Sequence, residues 1–284
     1  MPFATIMVEI AATAPLAESR EPGVLRQRIL SALILAPPAL AAAWFGSWAF
    51  VALAALAAAL LGWEWNRMCL GRFGPAGIVL GGMGVIVAVL GKDHPLAASA
   101  VILLGAVIAP VVQRSPGRSP LWMIVGAFYI GLPTLTLVWL RELGWEALLW
   151  LILLVWATDI GAYAAGRSIG GPKLLPRVSP KKTWAGLIGG VASAALVGVA
   201  AALVIGDGGI GPVLLAILSG ALAVVAQAGD LVESWVKRHF GIKDSSNIIP
   251  GHGGVFDRLD GLLATAPVVA LLCLIFGGGL PLWR

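Results

Sequence analysis

Runs of roughly twenty apolar residues recur along the whole chain, the length a helix needs to cross the ~30 Å hydrocarbon layer of a bilayer. Of 284 residues, 59% are hydrophobic and only 12% are charged, half the roughly 25% of an ordinary soluble domain. Backbone polar groups in lipid must be paired within their own segment, so runs rich in Ala, Leu and Val fold as helices. The sequence therefore reads as an all-α polytopic membrane protein. About nine transmembrane helices are expected, over 29–45, 47–65, 74–91, 95–112, 120–140, 145–165, 184–206, 209–229 and 259–280. They form one membrane domain, 29–284, behind a flexible leader, 1–28, which carries Glu9 and lacks the basic start of a signal peptide.

Charge tests this division, because cytoplasmic loops retain lysine and arginine. With a cytoplasmic N-terminus, that side receives Arg20, Arg26 and Arg28, then Arg67 and Arg72, then Arg114 and Arg118. Two longer loops add Arg167, Lys173, Arg177, Lys181 and Lys182, and then Lys237, Arg238, Lys243 and Arg258. Sixteen of the nineteen basic residues fall on one side, leaving Lys92, Arg141 and Arg284. The net charge of +5 thus reflects topology, and no nucleic-acid partner is expected. Trp44, Trp48, Trp63, Trp65, Trp139, Trp145 and Trp283 lie near span ends, as interfacial anchors do. Cys69 and Cys273 are far apart and carry neither a disulfide nor a zinc pattern.

Polar chemistry gathers in the two longest loops of that side. The first runs from Asp159 to Thr183, where Gly161, Gly166, Gly170 and Gly171 permit close approach and positive φ. It supplies cations at Lys173, Arg177, Lys181 and Lys182 and hydroxyls at Ser179 and Thr183. A helix starting near Thr183 would add free N–H groups suited to an anion. Asp159, an acid inside a span, is a functional candidate in its own right.

In the second loop, Asp230, Glu233, Ser234 and Lys237 recur at i, i+3, i+4 and i+7, one face of a helix leaving the membrane. Asp257 and Asp260 repeat the three-residue spacing at the start of the last span. Carboxylates converging from two helices offer the oxygen ligands that Mg²⁺ shares with phosphates and water. The alternative is a set of ion pairs with Lys237, Arg238, Lys243 and Arg258. His252, within Pro250-Gly251-His252-Gly253-Gly254, is placed to meet a phosphate or a base, whereas His239 and His94 read as structural. Glu64 either lines the site or reaches for the interface.

From Ser234 to Asp260 the pattern S-x-V-K-R-x4-K-D-x-S-x2-I-P-x-H-G-G-V-x-D-R-L-D resembles the signature of the phosphatidate cytidylyltransferases, or CDP-diacylglycerol synthases. Ser179-Pro180-Lys181-Lys182-Thr183-Trp184 resembles a second family motif, with Ala185 standing where the family often has glutamate. The resemblance implies an inner-membrane, multi-pass enzyme that converts CTP and phosphatidic acid to CDP-diacylglycerol and pyrophosphate at its cytoplasmic face. It implies Mg²⁺, with a second cation left open, and a homodimer.

On that reading Asp230, Asp257, Asp260 and Glu233 are the expected metal ligands, with Asp230, Lys237, Asp257 and Asp260 catalytic. Asp159, Ser179, Lys182, Thr183, Arg238, Lys243, His252, Gly253, Gly254 and Arg258 are expected to bind nucleotide and phosphate. Three rivals predict other outcomes. A CTP-dependent polyprenol kinase would release CDP. A CDP-alcohol phosphatidyltransferase needs spaced aspartates that do not follow Asp257-Arg258-Leu259-Asp260-Gly261. A transporter would concentrate its charges at the midplane.

Overall fold

A computed structural model describes residues 34, 36–113, 117–205, 211–251 and 253–275. The leader 1–28 and His252 lie outside the described residues. Helix over 36–45 precedes α1 (Ser47–Leu70), α2 (Pro75–Gly91), α3 (Pro95–Val112), α4 (Leu121–Leu143) and α5 (Trp145–Ser168). A hairpin follows, β1 (Lys173–Leu175) and β2 (Ser179–Thr183), then α6 (Trp184–Ile205), α7 (Pro212–His239) and α8 (Phe256–Ile275). Eight of these helices are long and apolar enough to cross a membrane. They match eight of the nine expected spans. The first span, 29–45, falls partly outside the described residues.

The punctuation is local. Proline occupies the first helical position of α2, α3 and α7, where its missing N–H costs nothing. Gly71 closes α1 at φ 75°, its N–H bonded to Arg67 O at 2.8 Å. Helices α1 to α4 pack with the head of α8 around Leu61, Trp65, Leu80, Ile102, Ile130 and Phe256. Helices α5, α6 and α7 pack with the rest of α8 around Trp150, Leu154, Ala194, Leu222 and Val269. α8 therefore belongs to both groups.

The two ends of the bundle are distinct, as the charge pattern requires. At one end Arg118 lies over the Phe240 ring and Trp122 packs on Trp235 and His239, so the α3–α4 turn meets the end of α7. At the other, Arg141 Nη2 donates to Trp44 O at 3.0 Å, and Lys92 lies 3.9 Å from Glu142. His239 is thus part of an aromatic cluster, as expected.

Three local readings are corrected. Residues 159–168 are the last turns of α5, not loop, and 173–183 form a hairpin with Lys173 opposite Thr183 and Leu175 opposite Ser179. A two-stranded sheet has only edges, so Pro180 is tolerated within it. Gly161 and Gly166 are helical and serve close packing on α6, while Gly170 (φ 69°) and Gly171 (φ 91°) hold the left-handed turn. Trp65 is no interfacial anchor: it is fully buried, with its indole N–H donated to Trp122 O at 2.8 Å.

Candidate active site

α7 outruns its apolar stretch by almost three turns, and this extension carries Asp230, Glu233 and Lys237 along one face. The first turn of α8 brings Asp257 and Asp260 beside it. Glycine permits the approach. A Cβ at Gly229, next to Asp230, would stand 3.1 Å from Asp260 O and collide with Ala264. A Cβ at Gly261, next to Asp260, would press Val155 of α5. The backbones close in, and three carboxylates meet.

Asp230, Glu233 and Asp260 each offer an oxygen, all within 4.8 Å of one another. Glu233 is 2% exposed. Its Oε1 lies 2.9 Å from Lys237 Nζ, an ion pair that leaves the carboxylate further lone pairs to offer. Asp230 accepts from Ser234 Oγ at 3.3 Å and pairs with Lys182 at 2.7 Å, and Asp260 accepts from the Gly261 N–H at 2.8 Å. An all-oxygen set with spare lone pairs fits a hard divalent cation.

Asp257, expected among the ligands, is otherwise engaged. Its Oδ1 meets Lys237 Nζ at 2.5 Å. Its Oδ2 accepts from Ser245 N, Ser245 Oγ and Gly254 N at 2.9, 2.9 and 2.8 Å. Lys237 thus stands between Asp257 and Glu233, supplying a fixed positive charge to the side of the trio.

These groups line a cleft of about 630 Å³. Of the residues expected there, Asp159, Lys182, Thr183, Asp230, Glu233, Lys237, Asp257, Arg258 and Asp260 line it. Ser179, Arg238, Lys243, Gly253 and Gly254 do not. Arg238 is exposed and donates to Ile242 O at 2.7 Å, and Thr183 Oγ1 caps α6 by accepting the Gly186 N–H at 3.0 Å. Lys182 also reaches Gln227 O at 3.2 Å, which ties the hairpin to α7.

Arg167, Gln227 and Tyr163 line the cleft without having been expected there, and Lys173 and Lys181, read from the sequence as loop cations but not as site residues, line it too. Periodicity could have found some of them. Asp159, Tyr163, Gly166 and Arg167 recur at i, i+4, i+7 and i+8 on one face of α5, and Gln227 extends the α7 stripe by a turn. The cleft therefore sets most of its acids, on α7 and α8 beside Lys237 and Arg258, against the cations of α5 and the hairpin, with Asp159 the acid of α5.

Glu64 does not line the cleft. Fully buried on α1, it accepts from Val255 N at 2.9 Å, Phe256 N at 2.7 Å and Ser246 Oγ at 2.6 Å.

Comparison with known proteins agrees with this chemistry. The model of the Cytidylyltransferase family matches residues 26–276. A phosphatidate cytidylyltransferase of Pseudomonas aeruginosa is 41% identical over 273 residues, covering 91% of this chain and 100% of the relative. One from Brucella suis is 40% identical over 263 residues, covering 89% and 94%. One from Staphylococcus saprophyticus is 33% identical over 203 residues, covering 68% and 78%. With the family model spanning the bundle and the cleft alike, the chain belongs to the cytidylyltransferase family.

Proposed function

We propose that this protein transfers the cytidylyl group of CTP to phosphatidate, releasing pyrophosphate and leaving CDP-diacylglycerol in the membrane. A phosphate oxygen of the lipid attacks the α-phosphorus of CTP. The bond from that phosphorus to the oxygen bridging to the β-phosphate breaks, and the electron pair leaves with pyrophosphate. The nucleophile is already anionic, so no strong general base is needed. The task is to bring two polyanions together and to stabilise the leaving group's charge. One observation carries this reading: three acids from two helices face a rim of cations within a single cleft.

Asp230, Glu233 and Asp260 would hold Mg²⁺. When bound, it draws charge from phosphate oxygens and steadies the pyrophosphate. Lys237, oriented by Asp257, faces the same oxygens. Lys182, Arg258, Arg167, Lys173 and Lys181 bind the triphosphate, with Thr183 fixing the start of α6 beneath them. Asp159 faces the trio from α5. Ser179, Arg238 and Lys243 do not line the cleft, and His252 lies outside the described residues, so the triphosphate contacts are assigned without them; Gly253 and Gly254 belong to the turn ahead of α8.

The cleft opens to the cytoplasm of a bacterial inner membrane, where CTP is supplied and the lipid headgroup lies. A homodimer accompanies this reading, and molecular mass in detergent checks it. The decisive assay uses purified protein, α-labelled CTP and phosphatidate. Label should enter lipid with stoichiometric pyrophosphate, stop on chelation and return with Mg²⁺. Release of CDP, with the γ-phosphate found on lipid, would overturn the proposal in favour of a kinase.

A further inference from the structure

The glycine-rich turn ahead of α8 has the composition of an anion cradle, yet its amides already hold anions of the protein itself. The N–H groups of Ser245 and Gly254 point to Asp257, and those of Val255 and Phe256 point to Glu64. Ser246 Oγ donates to Glu64 Oε1 at 2.6 Å. Ser245 Oγ lies between the two carboxylates, 3.3 Å from Glu64 Oε2 and 2.9 Å from Asp257 Oδ2. A Cβ at Gly254 would strike both Ser245 Oγ and Glu64 Oε1, so this glycine makes room for a carboxylate rather than a phosphate.

Glu64 is 0% exposed and comes from α1, more than 180 positions before the groups it binds. Burying a carboxylate is costly, and packing alone does not require one. Here the positive end of α8 and its unpaired first amides compensate. We infer that Glu64 is a positioning residue for the cytidylyl-transfer site proposed above. It is a built-in anion that fixes Ser245 and Ser246 against Val255 and Phe256 at the head of α8. Through that turn it sets Asp257, and with Asp257 the Lys237 ammonium; through the first helical turn it sets Asp260. The substrate's phosphates are then met by Arg167, Lys173, Lys181 and Lys182 on the opposite wall and by Arg258 on α8, not by the amides of this turn.

The test compares Glu64→Gln and Ser246→Ala with the unaltered full chain in detergent. The amide keeps the shape of Glu64 but turns an N–H₂ toward donors. Glu64→Gln should speed hydrogen exchange in 244–260 while leaving α2 and α3 unchanged. It should lower kcat about 10–100-fold, as loss of a partner that orients ligating groups does, with KM for CTP moving less than about threefold. Ser246→Ala should show the same pattern more weakly, and it decides the matter if Glu64→Gln does not fold. Unchanged exchange in 244–260, loosening shared equally by the whole bundle, or an effect confined to KM would each overturn the inference. Exchange needs no turnover. If the unaltered chain forms no CDP-diacylglycerol, the proposed reaction fails, yet the exchange result still settles what Glu64 holds.

Discussion

Lys237 stands between two carboxylates, Glu233 at 2.9 Å and Asp257 at 2.5 Å, with 9% of its side chain exposed. Asp257 is wholly engaged there, while Glu233, still in contact with Lys237, joins Asp230 and Asp260 in facing an external cation, and among these three Asp260 is the one that α8 contributes. Asp260→Asn removes its charge while keeping its shape and its bond from the Gly261 N–H. Turnover should fall by at least ~100-fold, the scale of losing one preorganised charge-stabilising group, with membrane insertion retained. Labelled-lipid formation measures the first and detergent chromatography the second; near-normal turnover would remove Asp260 from the site. The acids were legible in sequence because i, i+3 spacing on a helix announces a shared face. Glu64 was not. A lone acid closing an apolar run has no periodic partner, and its donors come from the far end of the chain. The role of Asp257 was half legible, since its place on α8 could be read but its engagement with Lys237 and Ser245 could not.

Elements meet at the site because small residues let them. Gly229 and Gly261 flank Asp230 and Asp260, so the spacing of the acids depends on how closely α7, α8 and α5 approach. Gly229→Ala should push α7 from α8, since its methyl would collide with Ala264 and crowd Asp260 O. Overpacking of this kind costs about 1–3 kcal/mol, and a loosened ligand set costs ~10–100-fold in metal affinity. The Mg²⁺ concentration giving half-maximal turnover should therefore rise. Gly82→Ala, where a Cβ meets nothing within 4 Å, should leave it unchanged. Equal behaviour of the two variants would show that helix approach does not set the site. Hydropathy exposed the spans, and the stripe from Asp230 to Lys237 exposed the extension of α7. It did not expose the hairpin, whose three- and five-residue strands, with Pro176 between them and Pro180 in the second, have the composition of a loop.

At the scale of the whole molecule, sidedness is written in charge and repeated in packing. Arg118, the end of α7, the head of α8 and the hairpin gather at one end, while Lys92, Arg141 and Glu142 meet at the other. Two ends built from alternate turns require every intervening helix to cross once, and one missing crossing would mix the sets. This explains why charge counting sorted the loops before any contact was known. It also makes orientation testable. The natural cysteines, Cys69 and Cys273, are both buried, so a background lacking them can carry single reporters. Arg177→Cys, exposed at the hairpin turn, should react with an impermeant maleimide only when the cytoplasmic face of membrane vesicles is outward. Asp93→Cys, exposed in the α2–α3 turn, should react only in vesicles of the opposite orientation. Labelling of both from one face would break the alternation of crossings, and labelling of Arg177→Cys from the face opposite the cytoplasm would place the cleft on the wrong side for CTP, because the hairpin that lines it cannot be separated from Asp230, to which Lys182 binds.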